Sequence, residues 1–543
     1  MVTTKLSLPL LFLLFSLTAR GQIAGPASSS PDSSRCEQLA HLSLPNTKIA
    51  SSPVAAGSFV GPPAVFTGAD LSGFYKSLPA FCRVEATAQP TSDSNIKIEV
   101  WLPAAGWNGK LQGIGNGGFA GLIDHFHLGA GVMRGYVTAA TDTGHAGSPV
   151  DATWALGHPE KLIDFGHRGI HEMTRVAKSV IQSYYATGVK HSYFLGCSDG
   201  GREALMEAQR YPEDYDGIMA GAPANYWTAL LATAMWNTQA LTLDAASYIS
   251  ASKVPAIDAA VAAACDDKDG VRDGILTDPR ECKFDPAVML CKNGEESDKC
   301  LTAPQAAALK KLYAGPRDSH QHQVFPGYLP GAEAGPGGWG TWITGPAPLK
   351  SLMAFFGVGY FSYMVDEKPD WDYKTFAIEK DLPAAEQKTA AALNAIDPNL
   401  APFQKRGGKL ILYHGWNDPA IPSINTINYY ESVVSKMGKR NADAFTRLYM
   451  VPGMQHCAGG PGADSFGQDG FVIQNNDVSH NLGLALERWA EKGEPPSGSI
   501  ATHYEGAEAS RRATMTRPLC AYPQKAVYKG AGDTSDAASF ECK

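Results

Sequence analysis

One serine of the chain stands in a setting that can turn a hydroxyl group into a nucleophile. Ser198 is the central residue of the pentapeptide Gly196-Cys197-Ser198-Asp199-Gly200. A free serine hydroxyl is a weak nucleophile and needs a neighbouring base to accept its proton. In a Gly-x-Ser-x-Gly turn between a strand and a helix, the glycines permit a sharp bend that exposes the serine side chain. The pentapeptide therefore predicts attack by Ser198 on an acyl carbonyl group.

A base and an acid that could activate Ser198 follow two later apolar segments. Asp418 lies in a Gly- and Pro-marked loop after residues 409–413, and His456 comes after residues 446–451. In a serine–histidine–aspartate triad the histidine takes and returns the proton, and the aspartate orients the imidazole ring. We predict these roles for His456 and Asp418. Two other histidines remain alternatives for the base, and one other aspartate for the acid: His414, His145 and Asp464.

A disulfide bond is expected between the neighbours of the nucleophile and the base. Cys197 precedes Ser198, and Cys457 follows His456. If the serine and histidine side chains lie within hydrogen-bond reach, their chain neighbours approach the Cα separation of about 5–6 Å that a disulfide needs. A Cys197–Cys457 bridge would therefore tie the nucleophile to its base.

Backbone N–H groups near Ser198 are candidates for stabilising the oxyanion that forms during acyl transfer. Two preorganised N–H donors are expected at such a site. Asp199, the residue after the nucleophile, supplies one donor. Gly117-Gly118 can bring a second donor close, because glycine has no side chain to obstruct the approach.

Strand-like and helix-like segments alternate around these residues. Residues 167–187 and 201–211 have helical spacing. The segments with strand character are residues 97–102, 110–114, 135–140, 192–195, 216–220, 409–413 and 446–451. Such alternation indicates β-α-β units around a parallel sheet.

The alternation has one long interruption. It stops near Asn225 and resumes at Lys409, and the chain between them reads as irregular. A Ser, Asp and His that follow strands in this order match the α/β-hydrolase fold. We predict an α/β-hydrolase catalytic domain, residues 22–225 and 402–543, with an inserted lid domain at residues 226–401.

Three aspartates form a second constellation, inside the predicted lid domain. Asp266, Asp269 and Asp273 lie within eight residues, and the glycines among them allow a tight wrap. Carboxylate oxygens suit a hard cation such as Ca²⁺, although the spacing is not that of an EF-hand. We expect a structural calcium ion that braces the lid domain and takes no part in the chemistry. The alternative is an acidic, solvated turn.

The N-terminus and the cysteines indicate a secreted protein, extracellular or periplasmic. The sequence predicts a signal peptide at residues 1–21, with Lys5, an apolar stretch at residues 6–17 and small residues before position 22. The alternative is a membrane anchor, but the apolar run is short for a bilayer. Ten cysteines, an even number, favour disulfide bonds behind such a leader. The net charge of −8 and the lack of long basic runs argue against a nucleic-acid partner.

Four segments together resemble the tannase and feruloyl esterase family. They are residues 196–204, 211–218, 415–419 and 453–457, which contain Ser198, Asp418 and His456. The pairing of Cys-Ser with a later His-Cys is highly specific, and the resemblance runs from about Cys36 to Cys542. It implies an α/β-hydrolase fold and an esterase that acts on hydroxycinnamoyl or galloyl esters.

The resemblance also implies roles for residues that the sequence pattern leaves open. It points to Gly118 as the oxyanion donor that acts with Asp199. It adds the backbone carbonyls of Val271 and Ile275 to the three aspartates as calcium ligands. It further implies five disulfide bonds: Cys36–Cys82, Cys197–Cys457, Cys265–Cys282, Cys291–Cys300 and Cys520–Cys542.

The predicted lid domain is rich in aromatic side chains that a flat acyl group could stack against. They are Trp339, Trp342, Phe355, Phe356, Tyr360, Phe361 and Tyr363. The family's terephthalate-monoester enzyme binds its substrate carboxylate with a lid arginine, whereas this chain has no arginine between Trp339 and Trp371. We therefore expect the substrate to be a small aromatic ester, either free or attached to plant polysaccharide or tannin. Two alternatives are a broader aromatic esterase that includes terephthalate monoesters, and a non-catalytic secreted binding protein.

Overall fold

The computed structural model describes residues 33–64, 68–292, 296–468, 475–506 and 511–543. The predicted signal peptide, residues 1–21, lies outside them. Within the described residues, none of the helices has both the length and the apolar character needed to span a bilayer.

A nine-stranded mixed sheet forms the centre of the protein. Its order is β1-β2-β3-β5-β4-β6-β7-β8-β9. The six strands from β5 to β9 are mutually parallel, and β1, β2 and β3 extend one edge in antiparallel pairing. The strands are β1 (Thr47–Val54), β2 (Phe81–Ala88), β3 (Ile96–Pro103), β4 (Lys110–Ile114), β5 (Val137–Thr141), β6 (His191–Cys197), β7 (Gly217–Gly221), β8 (Lys409–Gly415) and β9 (Thr446–Val451). The predicted α/β-hydrolase fold is confirmed.

Helices cover both faces of this sheet. Along β8, Leu410 and Leu412 join the core beneath α5, α6 and α14, while Ile411 and Tyr413 join the core beneath α16. Successive strand residues point to opposite faces, so a sheet covered on both sides needs unbroken apolar runs. The helices of the flanking layers are α1 (Ser33–Gln38), α2 (Ser72–Lys76), α3 (His125–Met133), α4 (Pro159–Ile163), α5 (Gly169–Tyr185), α6 (Asp199–Arg210), α14 (Ile424–Met437), α15 (Lys439–Asp443) and α16 (Leu482–Lys492).

The chain between the adjacent parallel strands β7 and β8 is an insertion with its own helices. They are α7 (Trp227–Thr242), α8 (Val254–Cys265), α9 (Ala303–Ala314), α10 (Trp339–Trp342), α11 (Leu352–Gly359), α12 (Ile378–Leu393) and α13 (Ala401–Lys405). The expectation of an irregular chain is wrong here. Most residues of α7 are buried on every side, so its sequence lacks the polar face that reveals a helix. One core of the insertion is its own, and another is shared with the catalytic domain around Phe119 and Phe165.

The described C-terminal residues add two small antiparallel sheets, and five disulfide bonds link segments along the described chain. The sheets pair β10 (Gly498–Glu505) with β11 (Arg512–Cys520), and β12 (Ala526–Tyr528) with β13 (Phe540–Cys542). All five expected disulfide pairings are present: Cys36–Cys82, Cys197–Cys457, Cys265–Cys282, Cys291–Cys300 and Cys520–Cys542.

Candidate active site

Ser198 occupies a strained turn between β6 and α6. Its φ of 66° and ψ of −121° lie outside the regions that side-chain-bearing residues prefer. The turn is tight enough that a Cβ on Gly196 would lie 2.4 Å from the Gly200 carbonyl oxygen. Glycine at position 196 lets the backbones of β6 and α6 approach this closely, and a Cβ on Gly200 would lie 2.8 Å from the Asn116 carbonyl oxygen. The N-terminus of α6, where partial positive charge favours anions, therefore lies directly beside the serine.

Asp418 and His456 meet at the ends of β8 and β9. His456 donates a hydrogen bond from Nδ1 to Asp418 Oδ2 over 2.7 Å. The other carboxylate oxygen of Asp418 accepts bonds from the backbone N–H groups of Ala420, at 2.7 Å, and Ile421, at 2.9 Å. The Asp418 carboxylate is fully buried and yet held by N–H donors on both oxygens. It can therefore orient the imidazole ring of His456.

The electrostatic surroundings keep Asp418 ionised. Burial by itself raises the pKa of a carboxyl group, but His456 and His414 outweigh burial and hold the pKa of Asp418 below its usual range. His414 contacts Asp418 Oδ2 through Nε2 at 3.1 Å. The acid thus lies between two imidazole rings.

The three alternative residues take other positions. His414 is fully buried and also bonds Thr426 and the Ile421 carbonyl oxygen. Burial lowers the pKa of His145 to about 4, and its Nε2 donates to the Phe119 carbonyl oxygen over 2.7 Å. Asp464 accepts from Gly459 N–H and from His503. These contacts support His456 and Asp418 as the acid–base pair.

The Cys197–Cys457 disulfide joins the loops that carry Ser198 and His456. Its Cα atoms lie 5.9 Å apart, although the two cysteines are 260 positions apart in sequence. The expected pairing is confirmed, and it fixes the backbone beside Ser198 to the backbone beside His456.

The loop that carries Gly118 packs against the start of α6. Gly200 N–H donates to the Asn116 carbonyl oxygen over 2.8 Å, and Asn116 N–H donates to the buried Glu203 carboxylate over 2.8 Å. Gly118 has a φ of +60°, and a Cβ there would lie 2.3 Å from the Pro149 carbonyl oxygen. The glycine is therefore required by the close packing of this loop, which also places it beside the nucleophile's helix.

The side chain of Asp199 is occupied by a buried ion pair. It lies 2.7 Å from Arg202 Nε, and both side chains are almost completely inaccessible. Arg202 also donates to the carbonyl oxygens of Gly166 and Phe165. The Asp199 carboxylate therefore points into the protein interior. The predicted role of Asp199 as an oxyanion donor concerns only its backbone N–H.

Aromatic residues of the insertion approach the triad. The Trp342 ring lies edge-on to the His456 ring with 4.8 Å between centroids. Phe356 stacks on Trp342 and makes a T-shaped contact with Phe119, the residue after Gly118, with 5.2 Å between centroids. These rings form an aromatic wall, defined as Phe119, Trp342 and Phe356, from the base to the Gly118 loop.

The other aromatic residues that the sequence singled out have different places. Trp339, Tyr360 and Phe361 are buried core residues of the insertion, Tyr363 is half-buried and Phe355 is exposed. Sequence spacing does not distinguish these positions. Phe119 was missed as a contact residue, and its adjacency to Gly118 is the signal that could have identified it.

The acidic loop of residues 265–275 folds back on itself. The Asp266 carboxylate accepts from Gly274 N–H, at 2.9 Å, and the Asp269 carboxylate accepts from Val271 and Thr277 N–H groups. Asp273 accepts from Ile275 N–H and pairs with Arg517. Burial raises the pKa values of Asp266 and Asp273, and the negative charge of Asp269 adds to both shifts.

The donor chemistry of this loop suits a hard cation. Its candidate ligands are all oxygen atoms, and a cation would relieve the mutual repulsion of the carboxylates. Across the described residues, however, no three His, Cys, Asp or Glu side chains form a group arranged to hold a metal ion.

Comparisons with known proteins cover nearly the whole chain. A family model described as "Tannase and feruloyl esterase" matches residues 82–543. An uncharacterized esterase of Xanthomonas campestris pv. campestris is 40% identical, over 98% of this chain and 94% of that protein. A probable feruloyl esterase B-2 of Aspergillus terreus is 30% identical, over 85% of this chain and 86% of its own. The crystal structure of feruloyl esterase B from Aspergillus oryzae superposes with a TM-score of 0.84 at 26% identity, covering 94% of this chain and all of that one.

Proposed function

Because the chain belongs to the tannase and feruloyl esterase family and is a carboxylic ester hydrolase, we propose that it cleaves hydroxycinnamoyl or galloyl esters through an acyl-enzyme on Ser198. The observation that carries the proposal is the contact of His456 with Asp418 on one side and with Trp342 on the other. This arrangement couples a proton-transfer pair to an aromatic surface. A non-catalytic binding role is set aside, since the family is one of esterases.

The reaction proceeds in two balanced steps. Ser198 Oγ bonds to the ester carbonyl carbon as His456 takes the serine proton, and the alcohol leaves with that proton. Water then attacks the acyl carbonyl and gives one proton to His456, which passes it to Ser198 Oγ as the acyl–oxygen bond breaks and the acid leaves. Asp418 stabilises the imidazolium form in both steps. The N–H groups of Asp199 and Gly118 are proposed to hold the oxyanion.

The aromatic wall favours a flat acyl group. A cinnamoyl or galloyl ring placed beside Ser198 could stack on Trp342 or Phe356, and such contacts contribute about 0.5–1.5 kcal/mol beyond area burial. No arginine occurs between Trp339 and Trp371 to bind a substrate carboxylate. We therefore expect methyl ferulate or methyl gallate to be hydrolysed with a higher kcat/KM than mono(2-hydroxyethyl) terephthalate. A broader aromatic esterase would hydrolyse all three at similar rates.

Removal of the Trp342 ring should weaken aromatic substrates selectively. For Trp342→Ala we expect kcat/KM on methyl ferulate to fall by about tenfold, or 1.4 kcal/mol, mainly through KM. The rate on p-nitrophenyl acetate should change less, because an acetyl group cannot stack. The matched control is Trp371→Ala, which removes an insertion tryptophan that stacks on Phe361 instead. Equal losses on both esters would contradict a role of Trp342 in acyl binding.

We further propose that the loop of residues 265–275 binds a structural Ca²⁺. The candidate ligands are the carboxylates of Asp266, Asp269 and Asp273 and the backbone carbonyls of Val271 and Ile275. The loop is closed at its base by the Cys265–Cys282 disulfide, so a bound cation would brace a constrained segment. The ion supplies charge neutralisation and has no part in the ester chemistry.

Calcium removal should therefore lower stability without a direct effect on catalysis. A ligand held at about 100 times its Kd stabilises by about 2.7 kcal/mol, so EGTA should lower the Tm by about 3 °C. Calcium should restore it, and magnesium should not. Asp269→Asn should abolish this response, whereas Asp267→Asn, which changes an exposed aspartate of the same loop, should retain it. An EGTA-insensitive Tm in the parent protein would contradict the proposed ion.

We also propose that the protein is secreted. The five disulfides fit an oxidising compartment. The predicted leader at residues 1–21 would deliver the chain there.

A further inference from the structure

Two buried amide side chains link the insertion to the acid and base loops. Asn417 immediately precedes Asp418, and Gln455 immediately precedes His456. Both residues are almost completely buried. Their side chains extend to one segment of the insertion, residues 330–334, which we name the strap.

The contacts of the two amides with the strap are made to main-chain carbonyl groups. Asn417 Nδ2 donates to the Pro330 and Gly331 carbonyl oxygens over 3.1 and 2.6 Å. Gln455 Nε2 donates to the Ala332 and Ala334 carbonyl oxygens over 2.8 and 2.6 Å. Three of these carbonyl groups belong to buried residues and the fourth, that of Ala334, to a half-buried one. A buried carbonyl without a partner costs about 1–3 kcal/mol.

The strap is also tied to the helix that carries Trp342. Glu333, completely buried in the strap, accepts hydrogen bonds on Oε1 from the Tyr313 hydroxyl and the Gly331 N–H. The Glu333 carbonyl oxygen accepts from Trp339 N–H over 2.8 Å, at the first residue of α10. A Cβ on Gly338, the residue before α10, would lie 2.9 Å from Gln455 Nε2, so this side chain packs directly against the helix start.

These contacts form a continuous series that starts and ends at His456. It runs from the His456 loop through Gln455 to the strap, on to α10, and returns through Trp342 to the His456 ring. Asn417 adds a parallel link from the acid loop, and its backbone N–H donates to the Met454 carbonyl oxygen over 3.2 Å.

We propose that Asn417 and Gln455 are positioning residues that hold the insertion in one fixed position. The loops that carry Asp418 and His456 thereby determine where the Trp342 ring lies relative to the His456 ring. The inference rests on the proposed function, because it assigns the aromatic wall to the acyl group. Under this proposal the insertion does not swing open as a lid. Substrate selectivity then depends on two amides that do not touch the substrate.

The test uses Gln455→Met, which keeps the side-chain length and removes the two hydrogen bonds. We expect the KM for methyl ferulate to rise by about tenfold with little change in kcat. The rate on p-nitrophenyl acetate should change by less than threefold. Gln468→Met is the matched control, because Gln468 is as deeply buried as Gln455. Its side chain donates to the carbonyl oxygens of Cys457 and Asp464, in the same loop region, and to none in the strap. Gln468→Met should leave the ratio of the two substrates unchanged.

Hydrogen exchange provides a readout that does not depend on activity. In the unaltered protein, the hydrogen-bonded amides of Gly331, Glu333 and Trp339 should exchange as slowly as those of the central sheet. In Gln455→Met they should exchange at least tenfold faster, while the sheet amides stay protected. Rapid exchange of these amides in the unaltered protein, or an unchanged rate in the variant, would overturn the proposal. Absence of activity on both esters in the unaltered protein would instead refute the proposed function. The exchange experiment would then still test whether Gln455 holds the strap.

Should Gln455→Met fail to fold, Asn417→Ser serves in its place. The shorter side chain cannot span the distance to the strap, and the same exchange increase and substrate shift are expected. A uniform loss of kcat on both esters, with unchanged exchange, would show a merely structural role and would also overturn the proposal.

Discussion

A Ser198→Ala variant is expected to lose about six orders of magnitude in kcat on methyl ferulate, the loss seen when an acyl-enzyme nucleophile is deleted. The side-chain oxygen is the only non-hydrogen atom removed, and alanine fits the turn as well as serine does. The strained φ of 66° persists, so the Tm should change little. Stopped assays with product quantification by chromatography would measure the residual rate.

The control for this variant is Ser192→Ala, which changes a buried serine on the same strand, β6. It should keep its activity within a few-fold. Phenylmethylsulfonyl fluoride should add one covalent group at Ser198 in the unaltered protein and none in Ser198→Ala, as read by peptide mass spectrometry. Retained turnover in Ser198→Ala would place the nucleophile elsewhere.

An Asp418→Asn variant is expected to lose about four orders of magnitude in kcat. Asp418 accepts hydrogen bonds from His456, His414 and two backbone N–H groups. An asparagine has a single oxygen acceptor, so one side of this arrangement would face an NH₂ group instead. The imidazole of His456 would then lose its orienting acceptor and the charge that stabilises its protonated form.

Asp464→Asn is the matched control, since Asp464 lies in the loop after His456 but bonds Gly459 and His503. Its activity should fall by less than tenfold. The pKa of Asp418 lies below its usual range, so its own protonation should not shape the pH–rate profile between pH 5 and 8. A larger loss in Asp464→Asn than in Asp418→Asn would assign the acid to Asp464.

The catalytic domain is predictable because its signals are local. Strands β4 and β9 have the bounds that the apolar runs indicate, and the others differ by a few residues. Cys197 and Cys457 add a long-range constraint that two neighbouring motifs share. The sequence pattern does not indicate the edge strand β1 or its neighbour β2. In the first six residues of β1 only alternate residues are partly buried and none is fully buried, which leaves a weak apolar pattern.

The insertion is less predictable because its helices are packed on several sides. Trp339 and Trp342 lie three residues apart, yet the first is core and the second meets His456. Only the tertiary arrangement separates them. The same holds for Gln455: a glutamine before a histidine has no distinctive pattern, and its role emerges from carbonyl oxygens more than a hundred residues away.

The insertion starts and ends at neighbouring strands, where Gly221 of β7 lies opposite Tyr413 of β8. Its anchors, Asn417 and Gln455, recognise main-chain carbonyls of the strap, which every amino acid provides. Substitutions at strap residues such as Ala332 and Ala334 therefore leave these four hydrogen bonds available, as long as the backbone of the strap keeps its position. The acyl preference of such an enzyme can therefore evolve through substitutions in one module without a change in the residues that perform hydrolysis.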